Sequence, residues 1–513
     1  MRRPALTSPT RRLIVGTCCP RVPANVPFLL YGLFLVGVVA VHWWLPARAR
    51  KPFLVGASYV FYCSFGARFG ALLLGLSVFN WAWGRWVLPR AVTSASLALG
   101  LLVNAAPLVY WKYTSLIVQT GSDLAAWVGY SWRPPVLEMA LPLGISFYTF
   151  QGIAYLVDVA AGDEPLVSLV DVLLFEAFWT RLVAGPIVRL DEMRPQLDVG
   201  QRRLARQDVA AAAQRILFGI AKKIVIADSL APYVDSVFGS STAPGAADST
   251  LAILGFGAQL YYDFSGYSDI AIGSARLVGY RLPENFDWPY SAHTPQEFWN
   301  RWHMTLSRWI RDYLYTPLSF ALRRRRGLAP LAIVLAMAIC GLWHGPRWTF
   351  VVWGVWHGAL LAAGQTAWGR RVTGGSPTGI RAAGLRLGTF VLVHVGWVFF
   401  RSATVADALG MLGGVARLRG SWEPSLMHGR GPVLVLVVVA ATWTAQAFHS
   451  EANRAATRVS SGTAESVTAR MRFREGLARA RASSWARWSF YSFIVVVPMC
   501  LRLRPSGFMY LRF

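Results

Sequence analysis

From residue 28 onward the chain is a succession of apolar runs separated by short polar clusters. The runs lie at about 28–45, 53–66, 69–84, 92–111, 136–157, 165–184, 208–227, 250–273, 328–344, 349–367, 385–400, 432–449 and 488–502. None alternates with the period-two pattern of a strand, so each predicts a helix. Several are short or carry Gly and Pro, which predicts tilted, paired or re-entrant helices among a total of about ten to twelve transmembrane or re-entrant segments. Trp43 and Trp44 close the first run, where an interfacial aromatic anchor is expected. Three stretches break the pattern: 185–207, 281–326 and 450–487 are polar and rich in Arg, and the positive-inside rule places them in the cytoplasm. The predicted organisation is a basic cytoplasmic extension (1–25), a membrane core (26–449), a basic cytoplasmic loop (450–487), and a final transmembrane helix with its tail (488–513).

Composition agrees with a bilayer-embedded, all-α protein. Of the 513 residues 55% are hydrophobic and 15% charged, against about 25% charged in soluble domains. Mean hydropathy is +0.40. The net charge of +26 would suggest nucleic acid on a soluble chain. Here it sits in clusters between apolar runs, so anionic lipid headgroups are the expected counter-charge and no nucleic-acid partner is predicted. The five cysteines have no metal-type or CxxC spacing; Cys63, Cys340 and Cys500 fall in apolar runs and read as small core residues. No metal site is predicted. No Gly-x-Ser-x-Gly elbow, P-loop or HExxH motif is present. With no soluble catalytic domain, chemistry must sit in the membrane or at its face.

Three constellations are candidates for that chemistry. Glu297–Tyr313 has the spacing of an amphipathic helix, with Trp299, Trp302, His303, Leu306, Ile310 and Tyr313 on one face and Arg301, Thr305, Arg308 and Asp312 on the other. An interfacial helix is the bland reading; His303 on the apolar stripe is the odd residue. In Gly341-Leu342-Trp343-His344-Gly345-Pro346, His344 ends an apolar run at a helix break. A titratable side chain at membrane depth is a functional candidate by default, and imidazole suits a base near neutral pH. His357, thirteen residues on, has no break beside it and reads as structural or as a partner of the other histidines. In Tyr261–Asp269, Asp263 and Asp269 are candidates to line a polar cavity or orient a histidine; the competing reading is a hydrogen-bond network at a helix break. One straight helix would not put both carboxylates on one face.

Leu141–Gln151, Leu182–Ile187, Tyr262–Asp269, Asn285–Tyr290, Glu297–Leu318, Gly341–Gly345 and the closing Phe508–Phe513 occur in an order that resembles the membrane-bound O-acyltransferase family, in its alginate O-acetylation branch. The resemblance spans roughly 28–400. The basic extension before residue 26, the long stretch 450–487 and the charged Thr180-Arg181 depart from the pattern.

The resemblance implies a ring of tilted helices around a central tunnel. It implies catalytic roles for His344 and His303; a mechanism built on it expects Asp263, Asp269, Trp343, Asn300 and Trp302 to support them or line the tunnel, and Arg308, Arg311 or Arg323–Arg326 to meet the phosphates of an acyl-CoA. It implies an O-acetyltransferase of the plasma (inner) membrane with no bound cofactor, acetyl-CoA as donor, and an extracellular or cell-envelope polysaccharide or other hydroxyl as acceptor, reached through an extracytoplasmic acetyltransferase partner. D-alanyl transfer to a cell-wall polymer, and a non-catalytic acyl exporter or scaffold, stay as alternatives. General-base and acyl-histidine mechanisms both stay open at this point.

Overall fold

The computed structural model describes residues 26–90, 92–130, 132, 140–197, 204–240, 244–324, 328–373, 377–416 and 431–460. Among them there are helices and no strands. The expected extension (1–25), most of the loop 450–487, Arg325 and Arg326, Cys18, Cys19 and Cys500, and the segment 488–513 lie outside the described residues.

The predicted runs become helices with informative differences. The run 92–111 is part of an apolar stretch Ser94–Trp127, and 385–400 lies within Gly379–Arg401; these two are long and apolar enough to cross a bilayer. Five shorter apolar helices accompany them: Leu29–Trp44, Pro330–His344, Trp348–Gly364, Val405–Ala416 and Gly431–Gln446. The count of ten to twelve spans is therefore not reproduced by helix length alone. The run 165–184 is not one helix: it divides into Leu169–Ala177 and Trp179–Leu182 at Phe178, whose ψ of 110° leaves the helical region. The boundary expected at residue 450 falls inside helix Gly431–Ser460. Cys63, expected in the core, is exposed, whereas Cys340 is buried. Large apolar side chains such as Leu29, Leu33, Val36, Leu102 and Ile117 stand exposed on the outside, as lipid-facing residues do.

Lipid tails give helices little hydrophobic reason to associate, so close packing must come from small residues. Helix Ala246–Leu277 forms the spine, against which helix Arg206–Ala221 lies. A Cβ on Gly266 would stand 2.7 Å from the Gly219 carbonyl oxygen, and one on Gly273 would stand 2.9 Å from that of Ala212. A second close pair is the hairpin of Ala329–His344 and Trp348–Gly364. There Gly341 leaves no room for a Cβ beside the Phe350 carbonyl, Gly354 none beside that of Met337, and a Cβ on Gly358 would stand 2.7 Å from the Val334 backbone. This hairpin fixes where His344 sits.

Polar residues inside the first half form their own network. Asn80 Nδ2 donates to Glu176 Oε1 at 2.8 Å and to Asn104 Oδ1 at 3.0 Å, and Asn104 Nδ2 returns a bond to Asn80 Oδ1. Arg181, a departure in sequence, is buried and donates to Gln151 Oε1. Its charge joins this interior network and does not face water.

Gly354→Leu should separate the hairpin. Overpacking of this kind costs about 1–3 kcal/mol, and circular-dichroism melting in detergent should report a lower midpoint. An unchanged midpoint would refute the close contact.

Candidate active site

His344 is the last residue of helix Ala329–His344. The segment is apolar throughout, starts with Pro330 in its first turn, and stops at Gly345, whose backbone is extended. A Cβ on Gly345 would collide with the Phe350 ring, so glycine lets the turn close over that ring. His344 is buried, at 7% exposure. It packs edge-on against Trp343 (4.8 Å between centroids), Trp353 (5.1 Å) and Phe400 (5.1 Å). Behind that cage His357 is fully buried, accepts from Trp299 Nε1 at 3.3 Å, and lies 5.1 Å from Trp353. His357 thus supports the cage, in line with a structural reading.

The single amphipathic helix expected over Glu297–Tyr313 is interrupted. Helix Pro295–Trp299 ends in a turn, His303 takes a left-handed backbone (φ 42°), and helix Met304–Ile310 begins after it, followed by the wider π-turn Arg311–Tyr315. The left-handed region is unfavourable for a side chain of this size by about 1–3 kcal/mol. Two backbone bonds hold it: Asp287 N–H donates to the Arg301 carbonyl and Met304 N–H to the Asn285 carbonyl, both at 2.9 Å. Periodicity missed the break because the apolar spacing continues across it. The break carries His303 off any lipid-facing stripe and into the core, where it is 1% exposed.

Asn285 organises this turn. Its Oδ1 accepts from His303 Nδ1 at 3.0 Å, Thr305 Oγ1 at 2.9 Å and Thr305 N–H at 3.3 Å. An amide oxygen only accepts, so in this assignment His303 carries its proton on Nδ1 and presents Nε2 as a base atom. Phe264 lies edge-on to the ring at 4.7 Å. The His303 and His344 rings lie 6.5 Å and 4.8 Å from the same Trp343 indole, so the structure brings the two predicted histidines together. Trp302 stacks on Phe298 and meets Trp397, as part of the wall beneath them.

Upstream, Thr294 Oγ1 caps helix Pro295–Trp299 by accepting from Glu297 N–H, and the Glu297 carboxylate accepts from His293 N–H and Arg301. Burial pushes the Glu297 carboxyl up, but its hydrogen bonds to His293 and the Arg301 charge outweigh that and hold it at about 2. This anchor is therefore ionised at every physiological pH.

A cavity of about 430 Å³ is lined by the helix that ends at His344 and by the broken segment that carries His303, without either histidine in its wall. Ile333, Ala336, Met337 and Cys340 line it from one face of the His344 helix, and Asn300, Met304, Arg308 and Arg311 line it from the broken segment. The lining reaches Cys340, one helical turn before His344, and Met304, the neighbour of His303. Its volume falls within the range of small-molecule sites. Arg308 and Arg311 do line the cavity, but each already has a carboxylate: Arg308 pairs with Glu192 at 2.8 Å and Arg311 with Asp312 at 2.7 Å. Arg189 adds a second ion pair to Asp312.

Asp263 and Asp269 stand elsewhere. They lie on the unbroken helix Ala246–Leu277, so the helix break expected at that motif is absent. Asp263 pairs with Lys223 at 2.8 Å; Asp269 pairs with Lys222 at 2.7 Å and Arg215 at 3.0 Å. These ion pairs bind the spine to its neighbouring helix, and the spine reaches His303 through the Phe264 ring. Two residues that hydrogen-bond to the histidines were not singled out as site residues in the sequence: Asn285, at His303 Nδ1, and Lys112, at the His344 carbonyl. Lys112 gave one signal, as an isolated charge at the edge of an apolar run.

The family model described as membrane-bound O-acyltransferase (MBOAT) matches residues 160–377, which hold both histidines and the cavity. The protein named "Probable alginate O-acetylase AlgI" of Azotobacter vinelandii is 38% identical over 77% of this chain and 78% of its own length. The chain belongs to the membrane-bound O-acyltransferase family. It is an O-acyltransferase and a membrane protein. "Peptidoglycan O-acetyltransferase" of Helicobacter pylori is 33% identical over 77% of this chain and 80% of its own length. "Teichoic acid D-alanyltransferase" of Streptococcus thermophilus is 28% identical over 56% and 75%. Likeness is thus stronger and more extensive to the two O-acetylating relatives. Within this O-acyltransferase, the aromatic cage and the Asn285 turn are the parts that set the histidines in place.

Asn285→Ala removes four buried hydrogen bonds at once, three to its Oδ1 and the one its Nδ2 gives to Ser268 Oγ. At about 1–3 kcal/mol for each buried group left unsatisfied, it should lower the melting midpoint and the acyl-transfer rate together. Asn285→Asp, which keeps the acceptor oxygen, should melt closer to wild type. Equal melting of Ala and wild type would show that the turn does not depend on Asn285.

Proposed function

We propose that this O-acyltransferase moves an acetyl group from a cytoplasmic thioester, acetyl-CoA, toward a hydroxyl acceptor for O-acetylation of a cell-envelope polysaccharide. It does so as a multi-pass protein of the plasma membrane, with an extracytoplasmic acetyltransferase as partner. The observation that carries this reading is a buried histidine one helical turn beyond a cavity able to take a small acyl donor. The O-acetylating relatives support the choice of acetyl over D-alanyl.

The donor's pantetheine arm lies along the Ile333–Cys340 face, with its thioester at His344. His344 takes the proton from the attacking hydroxyl as oxygen bonds to the thioester carbonyl carbon. The tetrahedral intermediate collapses, the carbon–sulfur bond breaks, and the proton passes from His344 to the departing thiolate. His303 orients the hydroxyl or polarises the carbonyl from the other side of the Trp343 indole. Arg311, which lines the cavity and has 60% of its side chain exposed, is placed to meet the donor's phosphates; Arg308 is more enclosed and tied to Glu192.

The test follows label from radioactive acetyl-CoA into envelope carbohydrate in membranes holding equal amounts of each protein. His344→Ala should lose about 10²–10⁴-fold in rate, the usual worth of a general base. His303→Ala should lose less. Label equal in wild type and both variants would overturn the assignment, and incorporation of D-alanine without acetate would redirect it to cell-wall D-alanylation. Arg311→Ala should raise KM for acetyl-CoA about 5–10-fold with kcat kept, as loss of uniform binding does; an unchanged KM would remove Arg311 from the donor site.

A further inference from the structure

We propose that Lys112 is a positioning residue for acyl transfer: its ammonium pins the helix end that carries His344. The proposal rests on the reading of His344 as the base.

The last four carbonyls of any helix lack intrahelical partners. Ordinarily water or a following turn supplies them. Here helix Ala329–His344 stops inside the protein, Gly345 turns away in an extended conformation, and Pro346 has no N–H to give. Three successive carbonyls are served from one dipeptide on another helix. Tyr113 Oη donates to the Leu342 carbonyl at 2.9 Å. Lys112 Nζ donates to the Trp343 carbonyl and, at 3.1 Å, to that of His344. Its third contact is Ser146 Oγ at 3.3 Å.

An ammonium has three donors and no acceptor, and here three acceptors meet it. Two belong to the His344 turn and one to helix Ile145–Ala160, so Lys112 ties the histidine to a fixed neighbour. Adjacent residues on a regular helix diverge by about 100°. Lys112 and Tyr113 instead lie in the π-turn Val109–Tyr113, next to Pro107, and widened turns of this kind are frequent at functional sites.

The charge matters as well as the hydrogen bonds. Lys112 is 7% exposed, and among the described residues no carboxylate forms an ion pair with it. A buried cation at membrane depth is costly. What favours it is the negative end of the His344 helix, whose terminal carbonyls it contacts. A lysine kept only for stability would be expected to face an acid. This one faces the backbone of the residue that performs the chemistry.

The experiment measures kcat and KM for acetyl-CoA, together with melting midpoints, for wild type, His344→Ala, Lys112→Met, Lys112→Arg and Tyr113→Phe in detergent or reconstituted membranes. Lys112→Met keeps the stem and removes the donors. It should lose about 10²-fold in kcat with KM for acetyl-CoA nearly unchanged, the size of effect that a 1 Å misplacement produces. Lys112→Arg should recover at least about tenfold of that loss, since it restores charge and donors in a different shape. Tyr113→Phe removes one carbonyl partner and should lower kcat about 3–10-fold. Wild-type kcat in a folded Lys112→Met protein overturns the proposal. So does a fall in melting midpoint with kcat unmoved, which is what a purely structural lysine would give. Should Lys112→Met not fold, Tyr113→Phe and Lys112→Arg decide: wild-type kcat in Tyr113→Phe, or an Arg variant that folds yet is as inactive as His344→Ala, overturns it. A wild-type protein that transfers no acetyl refutes the underlying reading. An active wild type with inactive His344→Ala and fully active Lys112→Met refutes only the role of Lys112.

Discussion

A helix that ends in the protein interior must find donors for its final carbonyls, and the rest of this site follows from how that demand is met. The helix ending at His344 cannot run on, because Gly345 and Pro346 stop it, and it cannot fray into water. Lys112 and Tyr113 supply the missing donors from the Ser94–Trp127 stretch. Once that end is held, Trp343 and His344 have fixed directions. Trp343 donates to the Ser146 carbonyl and stacks on Phe150, which stacks in turn on Trp309 of helix Met304–Ile310. The first half of the chain is thereby joined to both histidine motifs through one aromatic column.

His303 solves the same problem from the opposite direction. Its helix starts in the interior, and the turn before it is unfavourable for a histidine. Asn285 and the two backbone bonds around it hold that turn, and the same amide oxygen sets the imidazole's tautomer. Both histidines therefore sit at helix ends rather than mid-helix. At an end, the side chain's direction is set by capping groups from other elements, which can be tuned without disturbing a whole span. In a bilayer, polar groups can be afforded only where protein surrounds them, and helix ends meeting in the core provide that surrounding.

Much of this was legible in the sequence. Apolar runs located most of the helices, and the Gly-Pro break after His344 marked it before any geometry was known. Three features were not legible, each for a physical reason. The break at His303 leaves the 3.6-residue spacing of Trp299, His303, Leu306 and Ile310 undisturbed, so periodicity counts straight across it. Asp263 and Asp269 carry chemistry-bearing side chains, but their partners, Lys222 and Lys223, lie about forty residues away on a packed helix, and a linear reading cannot pair them. Lys112 directly follows the apolar run 92–111, a position where a charge ordinarily marks no more than the edge of a span.

Those misreadings bear on how charge is used here. Asp263 and Asp269 pair with Lys223, Lys222 and Arg215 across packed helices, and the arginines at the cavity are matched by Glu192 and Asp312. What surrounds the imidazoles is aromatic: Trp343, Trp353 and Phe400 about His344, and Phe264 about His303. Those rings close the sides of each imidazole and so limit the orientations it can take. The edge-to-face packing of Trp343, Trp353 and Phe400 restricts rotation of the His344 imidazole in particular. The constraint that holds the helix end and the cage that holds the ring thus act on the same few degrees of freedom, and together they fix the direction of the His344 side chain.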